Sequence, residues 1–146
     1  MPFVLSSAGV APPSAPLRVV TELDRVRIHR WLRAQPQAGR TQALADLVDN
    51  ADEVSPRQVP ADVVTMYSQV LLSDPEGQPA RRITLCYPPD AEPMAGFVSV
   101  LSPVGAALLG LRVGDAATWS GPDGRCETGQ VAALLFQPEA SGDYTL

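Results

Sequence analysis

Ser102-Pro103-Val104-Gly105-Ala106-Ala107-Leu108-Leu109-Gly110-Leu111-Arg112-Val113-Gly114-Asp115 is the stretch that decides how this chain folds. Within it, Val104–Leu109 reads as a compact apolar helical segment closed by Gly110. Asp115, after Val113-Gly114, reads as a turn residue ahead of a strand. On both sides the hydrophobic period is two. Upstream, Val64, Met66, Val70 and Leu72 alternate with Thr65, Tyr67 and Gln69. Asp74-Pro75-Glu76-Gly77 is a turn, and Arg82–Tyr87 alternates again with Ile83, Leu85 and Tyr87 on one side. Pro88-Pro89 ends that strand, and Phe97–Leu101 makes a third. Downstream, Ala116–Trp119 and Val131–Phe136 make two more, joined through Gly121-Pro122-Asp123-Gly124, where Asp-Gly is a hairpin signal. The economical reading is an α+β unit, a small antiparallel sheet wrapped around one short helix.

Before Ser55-Pro56 and Val59-Pro60 the period is 3.6, and those prolines mark a linker because a residue preceding proline leaves helical space. A first helix is expected over Leu23–Ala34, with Thr21 or Asp24 as cap and Glu22 and Asp24 facing the N-terminal dipole. Leu23, Val26, Ile28, Trp31 and Leu32 form its apolar stripe, and Pro36 and Gly39 break it. A second helix is expected over Thr41–Glu53, with Leu44, Leu47, Val48, Ala51 and Val54 on one face. Helices of about 11–13 residues make an arm about 16–20 Å long. Each needs the other for stability. Leu17–Val20 reads as a short strand or apolar lead-in, and Met1–Pro16, small and proline-rich, as a disordered or extended tail. The expected organisation is a tail over 1–16, a helical hairpin over 17–55 and a sheet domain over 60–146.

Composition removes whole chemistries. The 146 residues fit one domain, or one domain with a small appendage. All 11 basic residues are arginine, so a phosphate loop ending in Gly-Lys-Ser/Thr and a Schiff-base lysine are both excluded. A zinc site has at most three Cys/His candidates, His29, Cys86 and Cys126, far apart in sequence. The net charge of −5 is unevenly spread. Residues 18–40 carry six arginines against Glu22 and Asp24, or +4, while residues 41–146 carry five against 14 acidic residues, or −9. A basic arm on an acidic body is dipolar, unlike a general nucleic-acid binder. No run approaches the roughly 18 apolar residues of a membrane span. The start reads poorly as a signal peptide. Two cysteines 40 positions apart make no disulfide framework. A cytoplasmic protein with reduced thiols is expected.

Several features have a plain structural account. An antiparallel hairpin is expected to bring Arg30 near Asp46 and Arg27 near Asp49, exposed pairs that contribute about 0–1 kcal/mol each. His29 reads as exposed or structural, because nothing nearby supplies the base and phosphate pocket of a phosphohistidine nucleophile. Cys86 and Cys126 read as buried free thiols in strands. Asp46, Asp49, Asp52 and Glu53 read as a solvated helix face rather than a metal site.

The strings Val63-Val64-Thr65-Met66, Ser102 through Asp115, and Gln137-Pro138-Glu139-Ala140-Ser141-Gly142-Asp143-Tyr144 make Val59–Leu146 closely resemble the family of regulators of nucleoside diphosphate kinase (Rnk). More distantly, it resembles the C-terminal half of the Gre transcript-cleavage factors. The resemblance implies an FKBP-like α+β domain, an N-terminal antiparallel coiled coil, and binding as a monomer to bacterial RNA polymerase at the rim of its secondary channel. Gre factors carry at the coil tip an acidic pair that helps hold a catalytic Mg²⁺, a hard cation that wants carboxylate oxygens. Here Ala34–Gln42, the corresponding tip, contains no carboxylate, and the arm is much shorter. The resemblance therefore implies a competitor of Gre factors without cleavage chemistry, with no catalytic residue, metal or cofactor, that regulates nucleoside diphosphate kinase levels indirectly. Gre factors grip polymerase with an Asp/Asn-Ser-Pro triplet. Ser102 and Pro103 match it and Leu101 departs from its polar first position, so Leu101, Ser102 and Pro103 are the implied polymerase-binding residues. Arg27, Arg30, Arg33 and Arg40 are the implied basic face of the hairpin, toward an acidic polymerase surface or nascent RNA. An FKBP-like peptidyl-prolyl isomerase is the alternative on fold analogy alone. A nucleoside diphosphate kinase is disfavoured by the absence of a phosphate-binding loop and of lysine.

Overall fold

The computed structural model describes residues 17–35, 38–76 and 79–146. The tail, the hairpin residues Pro36-Gln37 and Gly77 of the expected turn lie outside the described residues, as does the Arg40 side chain. The chain runs β1 (Val19–Thr21), α1 (Glu22–Arg33), α2 (Ala38–Asn50), β2 (Asp52–Val54), β3 (Gln69–Ser73), β4 (Arg81–Cys86), β5 (Phe97–Ser99), α3 (Pro103–Leu108), β6 (Ala116–Ser120) and β7 (Cys126–Phe136). The fold is α+β, with three α-helices among the described residues. A five-stranded curled sheet has the order β5-β4-β3-β7-β6, and β1 and β2 form a separate pair.

Two features depart from the expected antiparallel sheet. The β5 strand pairs in parallel with β4, Thr84 opposite Phe97 and Cys86 opposite Ser99. The link Tyr87–Gly96 carries the chain back over two short turns at Pro88–Asp90 and Pro93–Ala95, so β5 enters from the end where β4 began. A parallel neighbour requires such a crossover. The lead-in also becomes a strand, β1, paired in parallel with β2 from Val19 opposite Asp52 to Thr21 opposite Val54. That pairing stops α2 at Asn50, short of the expected Glu53, and places Val54 in a strand.

Val64–Ser68 reads in sequence as the start of a strand, but Val63–Ser68 is irregular and β3 begins at Gln69. The alternation marks burial instead. Val63, Val64, Thr65, Met66 and Ser68 are all buried. Val64 N–H donates to Leu111 O at 2.8 Å, and Gly110 N–H donates to Val64 O at 2.8 Å. The Val64 end of the segment is thus stitched to the end of α3, while its Tyr67-Ser68 end bonds to Leu85 of β4.

Hairpin and sheet share one apolar core. Ile28 of α1 and Leu44 and Val48 of α2 join Val70, Leu85, Leu108, Leu111 and Val131 in a single buried cluster. Thr21 caps α1 as expected, its hydroxyl accepting from Asp24 N–H at 3.1 Å. Arg18 ties β1 to the body. One guanidinium nitrogen donates to Ala107 O at 2.9 Å and Leu109 O at 2.8 Å, carbonyls at the open end of α3. Gly110 makes this approach possible. It sits at φ 81°, and a Cβ there would lie 2.9 Å from Val19 O.

The second tie is Asp24, which is buried and accepts from Met66 N–H at 3.2 Å. Burial pushes its carboxyl up to about 7, with the nearby Glu139 adding to the rise and the Met66 and Thr21 hydrogen bonds opposing it. Between the ordinary carboxyl pKa and that value, the folded chain holds a proton the unfolded chain releases. This contribution is therefore complete below about pH 4 and is lost as pH rises through 7. Asp24→Asn keeps an oxygen for Met66 N–H and should flatten this slope, worth up to about 4 kcal/mol, as read by urea unfolding at pH 4.5 and pH 8. Arg18→Met should lower stability by about 2–3 kcal/mol, measured the same way, because the carbonyls at the end of α3 lose their donor.

Candidate docking site

The Ser102-Pro103 loop is built by helix-start chemistry. Ser102 is the N-cap of α3, at φ −76° and ψ 158°. Its hydroxyl donates to Ser99 O at 2.6 Å and accepts from Gly105 N–H at 3.2 Å. Pro103, which needs no hydrogen-bond partner for its nitrogen, takes the first helical turn. Gly105 is required by space, since a Cβ there would lie 2.0 Å from Ser99 O. Ser102 thus spends its hydroxyl inside the chain. What the loop leaves at the surface is half-buried Leu101 and exposed Pro103.

Leu101, Ser102 and Pro103 border an apolar cleft of about 340 Å³ between α2, α3 and β6. Leu44 and Leu47 form one wall and Trp119 another. Arg18 also borders it, with burial lowering its pKa and Asp115 opposing that. Leu47 and Trp119 are only partly buried against the core, leaving apolar surface on the cleft. The sequence stripe containing Leu44 and Leu47 signalled an apolar face, but not that this face is shared between core and cleft. Arg18 and Trp119 gave no signal at all.

Among the described residues, the basic side chains Arg27, Arg30 and Arg33 do not line one groove. Arg27 and Arg30 line a cleft against the sheet domain, whereas Arg33 lines a different groove with Arg25 and His29. Nor do the expected ion pairs form. Asp49 meets His29 Nε2 at 2.9 Å and Arg25 at 3.7 Å, and Arg25 donates to Glu53 at 2.6 Å. Residues 25 and 29 lie four apart on α1, so they share the side facing α2. Arg27 instead donates to Thr145 O at 2.9 Å. Among the described residues, Arg30 and Arg33 meet no carboxylate. Asp46 accepts from Gln42 at 2.8 Å. Cys86 is buried as expected, but Cys126 is exposed, because it opens β7 at the solvent end of the β6–β7 hairpin. Asp115 is the expected turn residue, accepting from Arg112 N–H at 2.9 Å.

The Gln137–Tyr144 string clamps the irregular Val63–Ser68 segment. Gln137 donates to Pro60 O at 2.8 Å and Val63 O at 2.7 Å, while Glu139 accepts from the Thr65 hydroxyl at 2.7 Å. Burial raises the Glu139 pKa.

These elements recur in known proteins. Residues 59–132 match the family model for the C-terminal region of transcription elongation factors GreA and GreB, and a solved GreA/GreB elongation factor from Nitrosomonas europaea superposes with a TM-score of 0.69. That match is 31% identical and covers 83% of this chain and 99% of that one. The chain belongs to the GreA/GreB transcription elongation factor family. It is also similar to the regulator of nucleoside diphosphate kinase of Escherichia coli strain K12, 42% identical over 135 residues that span 91% of this chain and 99% of that protein. With GreA of Clostridium beijerinckii it shares 35% identity over 86 residues, about half (54%) of that relative's length.

Ser102→Ala should lower stability by about 1 kcal/mol through loss of the cap. Gly105→Ala should cost more than Ser102→Ala, because its new methyl collides with the Ser99 carbonyl. Chemical denaturation of both variants checks the order.

Proposed function

We propose that this chain is a transcription regulator that binds bacterial RNA polymerase at the rim of the secondary channel and competes there with Gre factors without stimulating transcript cleavage. Family membership supports the regulator class, and the relatives are named as regulators and elongation factors rather than enzymes. The single observation that carries the finer reading is the carboxylate-free Ala34–Gln42 segment, running from the end of α1 into the start of α2, in a hairpin joined to a Gre-type body. A hairpin with no carboxylate at that turn has nothing there to hold Mg²⁺.

In this reading, residues 17–55 are the inserted arm, a short coiled coil, and 60–146 are an FKBP-like docking body. Leu101 and Pro103 meet the channel rim beside the apolar cleft, and Ser102 fixes the loop that presents them. Arg27, Arg30 and Arg33 then face acidic polymerase surface or nascent RNA from different sides of the arm, and Arg40 adds its charge near the turn. The protein acts as a cytoplasmic monomer, and nucleoside diphosphate kinase levels change as a downstream result of transcription. No helix among the described residues is long and apolar enough to cross a membrane.

The test is competition on purified RNA polymerase stalled in backtracked complexes. Saturating protein should suppress Gre-stimulated cleavage and should cause none by itself. Leu101→Glu should weaken the suppression by about tenfold or more, since a charge at an apolar contact centre is poorly tolerated. Cleavage left untouched at saturation defeats the competitor reading, and cleavage by the protein alone defeats the tip argument.

A further inference from the structure

A second cleft, of about 500 Å³, opens on the other side of the molecule, between α1 and the β4–β5 link. Its walls include Arg27, Arg30, Trp31, Tyr67, Tyr87 and Asp90. The volume lies within the range of sites that enclose a small organic ligand.

Four observations mark it as more than a seam. Tyr67 is the one non-glycine residue with positive φ, at 65°, among the described residues. Aromatic side chains rarely adopt that conformation, and strain of this kind gathers at binding sites. It is held by backbone bonds, Tyr67 N–H to Leu85 O at 2.6 Å and Ser68 N–H to Thr65 O at 3.0 Å. Its hydroxyl donates to Asp90. Next, Tyr67 and Tyr87 stack edge to face with centroids 5.8 Å apart. Third, the Tyr87 hydroxyl is buried and makes no well-formed hydrogen bond among the described residues, with the Arg27 guanidinium beside it, so a ligand bridging the two would satisfy it. Last, Arg30 is exposed with no carboxylate partner among the described residues, and Arg27 spends one donor on Thr145 O. A guanidinium has five.

The geometry points to this cleft as a binding site for a nucleoside phosphate, with the arginines on the phosphate and the aromatic side chains against the base. Arginine pairs suit phosphate oxygens, and any base has a face to stack. The Asp90 carboxylate weighs against a bare anion and in favour of a ligand that separates its phosphate from a hydrogen-bond-donating base. The same chemistry is offered by a free nucleotide and by the end of an RNA chain. The site stands independently of polymerase binding, and it is tested on the free protein.

Titration calorimetry of the full chain with GDP, ADP, inorganic phosphate and a short 5′-phosphorylated ribo-oligonucleotide tests it. At least one nucleotide or the oligonucleotide should bind with Kd below about 1 mM, and inorganic phosphate alone should bind at least about tenfold more weakly. Arg30→Ala should weaken binding by about tenfold, and so should Tyr87→Phe, which keeps the buried ring and removes only a hydroxyl that makes no well-formed hydrogen bond. Arg33→Ala, on the other groove, should leave binding within about twofold. An oligonucleotide that binds more than about tenfold tighter than GDP identifies RNA ends as the source; equal or weaker binding identifies free nucleotides. No saturable binding up to about 5 mM, phosphate binding as tight as GDP, or binding unchanged in both Arg30→Ala and Tyr87→Phe overturns the assignment.

Discussion

The junction around Arg18 holds the architecture together. Its side chain binds carbonyls at the end of α3, and its own carbonyl accepts from Asp52 N–H at 2.9 Å. One residue therefore joins the entry to the hairpin, the exit from it and the helix beneath the Ser-Pro loop. An arginine serves because several carbonyls converge on one point, and a planar fork can satisfy them together. Gly110 leaves the room and Asp24 makes a second attachment nearby at Met66. The arm is fixed to the body by polar contacts inside an apolar core, an arrangement that specifies a single docking geometry.

The charge split gains a spatial meaning from this frame. The +4 of residues 18–40 is not spread over one surface. Arg18 is consumed by the junction, Arg25 pairs with Asp49 of α2 and Glu53 of β2, and Arg27 and Arg30 turn toward the tyrosines of the sheet domain. Two clefts result, on different sides of the arm. The one bordered by Leu101 and Trp119 is apolar, as suits a protein partner, and the one bordered by Arg30 and Tyr67 is aromatic and cationic.

Much of the fold was legible in the sequence for identifiable reasons. The period of 3.6 and the Thr21 cap located α1, and the alternation at Ile83 and Leu85 located β4, because both signals are local. The parallel pairing of β1 with β2 was not legible, since it joins residues some 30 positions apart through two helices. The alternation across Val64 and Met66 misled because burial, not strand geometry, produced it. The Ser-Pro pair falls at the start of α3, where serine and proline are both favoured. That Ser102 turns inward as a helix cap follows from the Ser99 carbonyl, which no spacing rule encodes. That Arg25 and His29, rather than Arg27, meet Asp49 of α2 depended on the rotation of α1 about its axis, which an apolar stripe as broad as Leu23–Leu32 does not fix.

The shared core has a thermodynamic consequence for any encounter. Because Ile28 and Val48 are packed with the sheet residues Val70 and Leu85, the arm is not a tethered probe that must be oriented on arrival. Its orientation is settled during folding, so the entropy of ordering it is not charged against association. Wherever the body seats, the position of the arm follows, and a surface unable to accept both at once gains little from either.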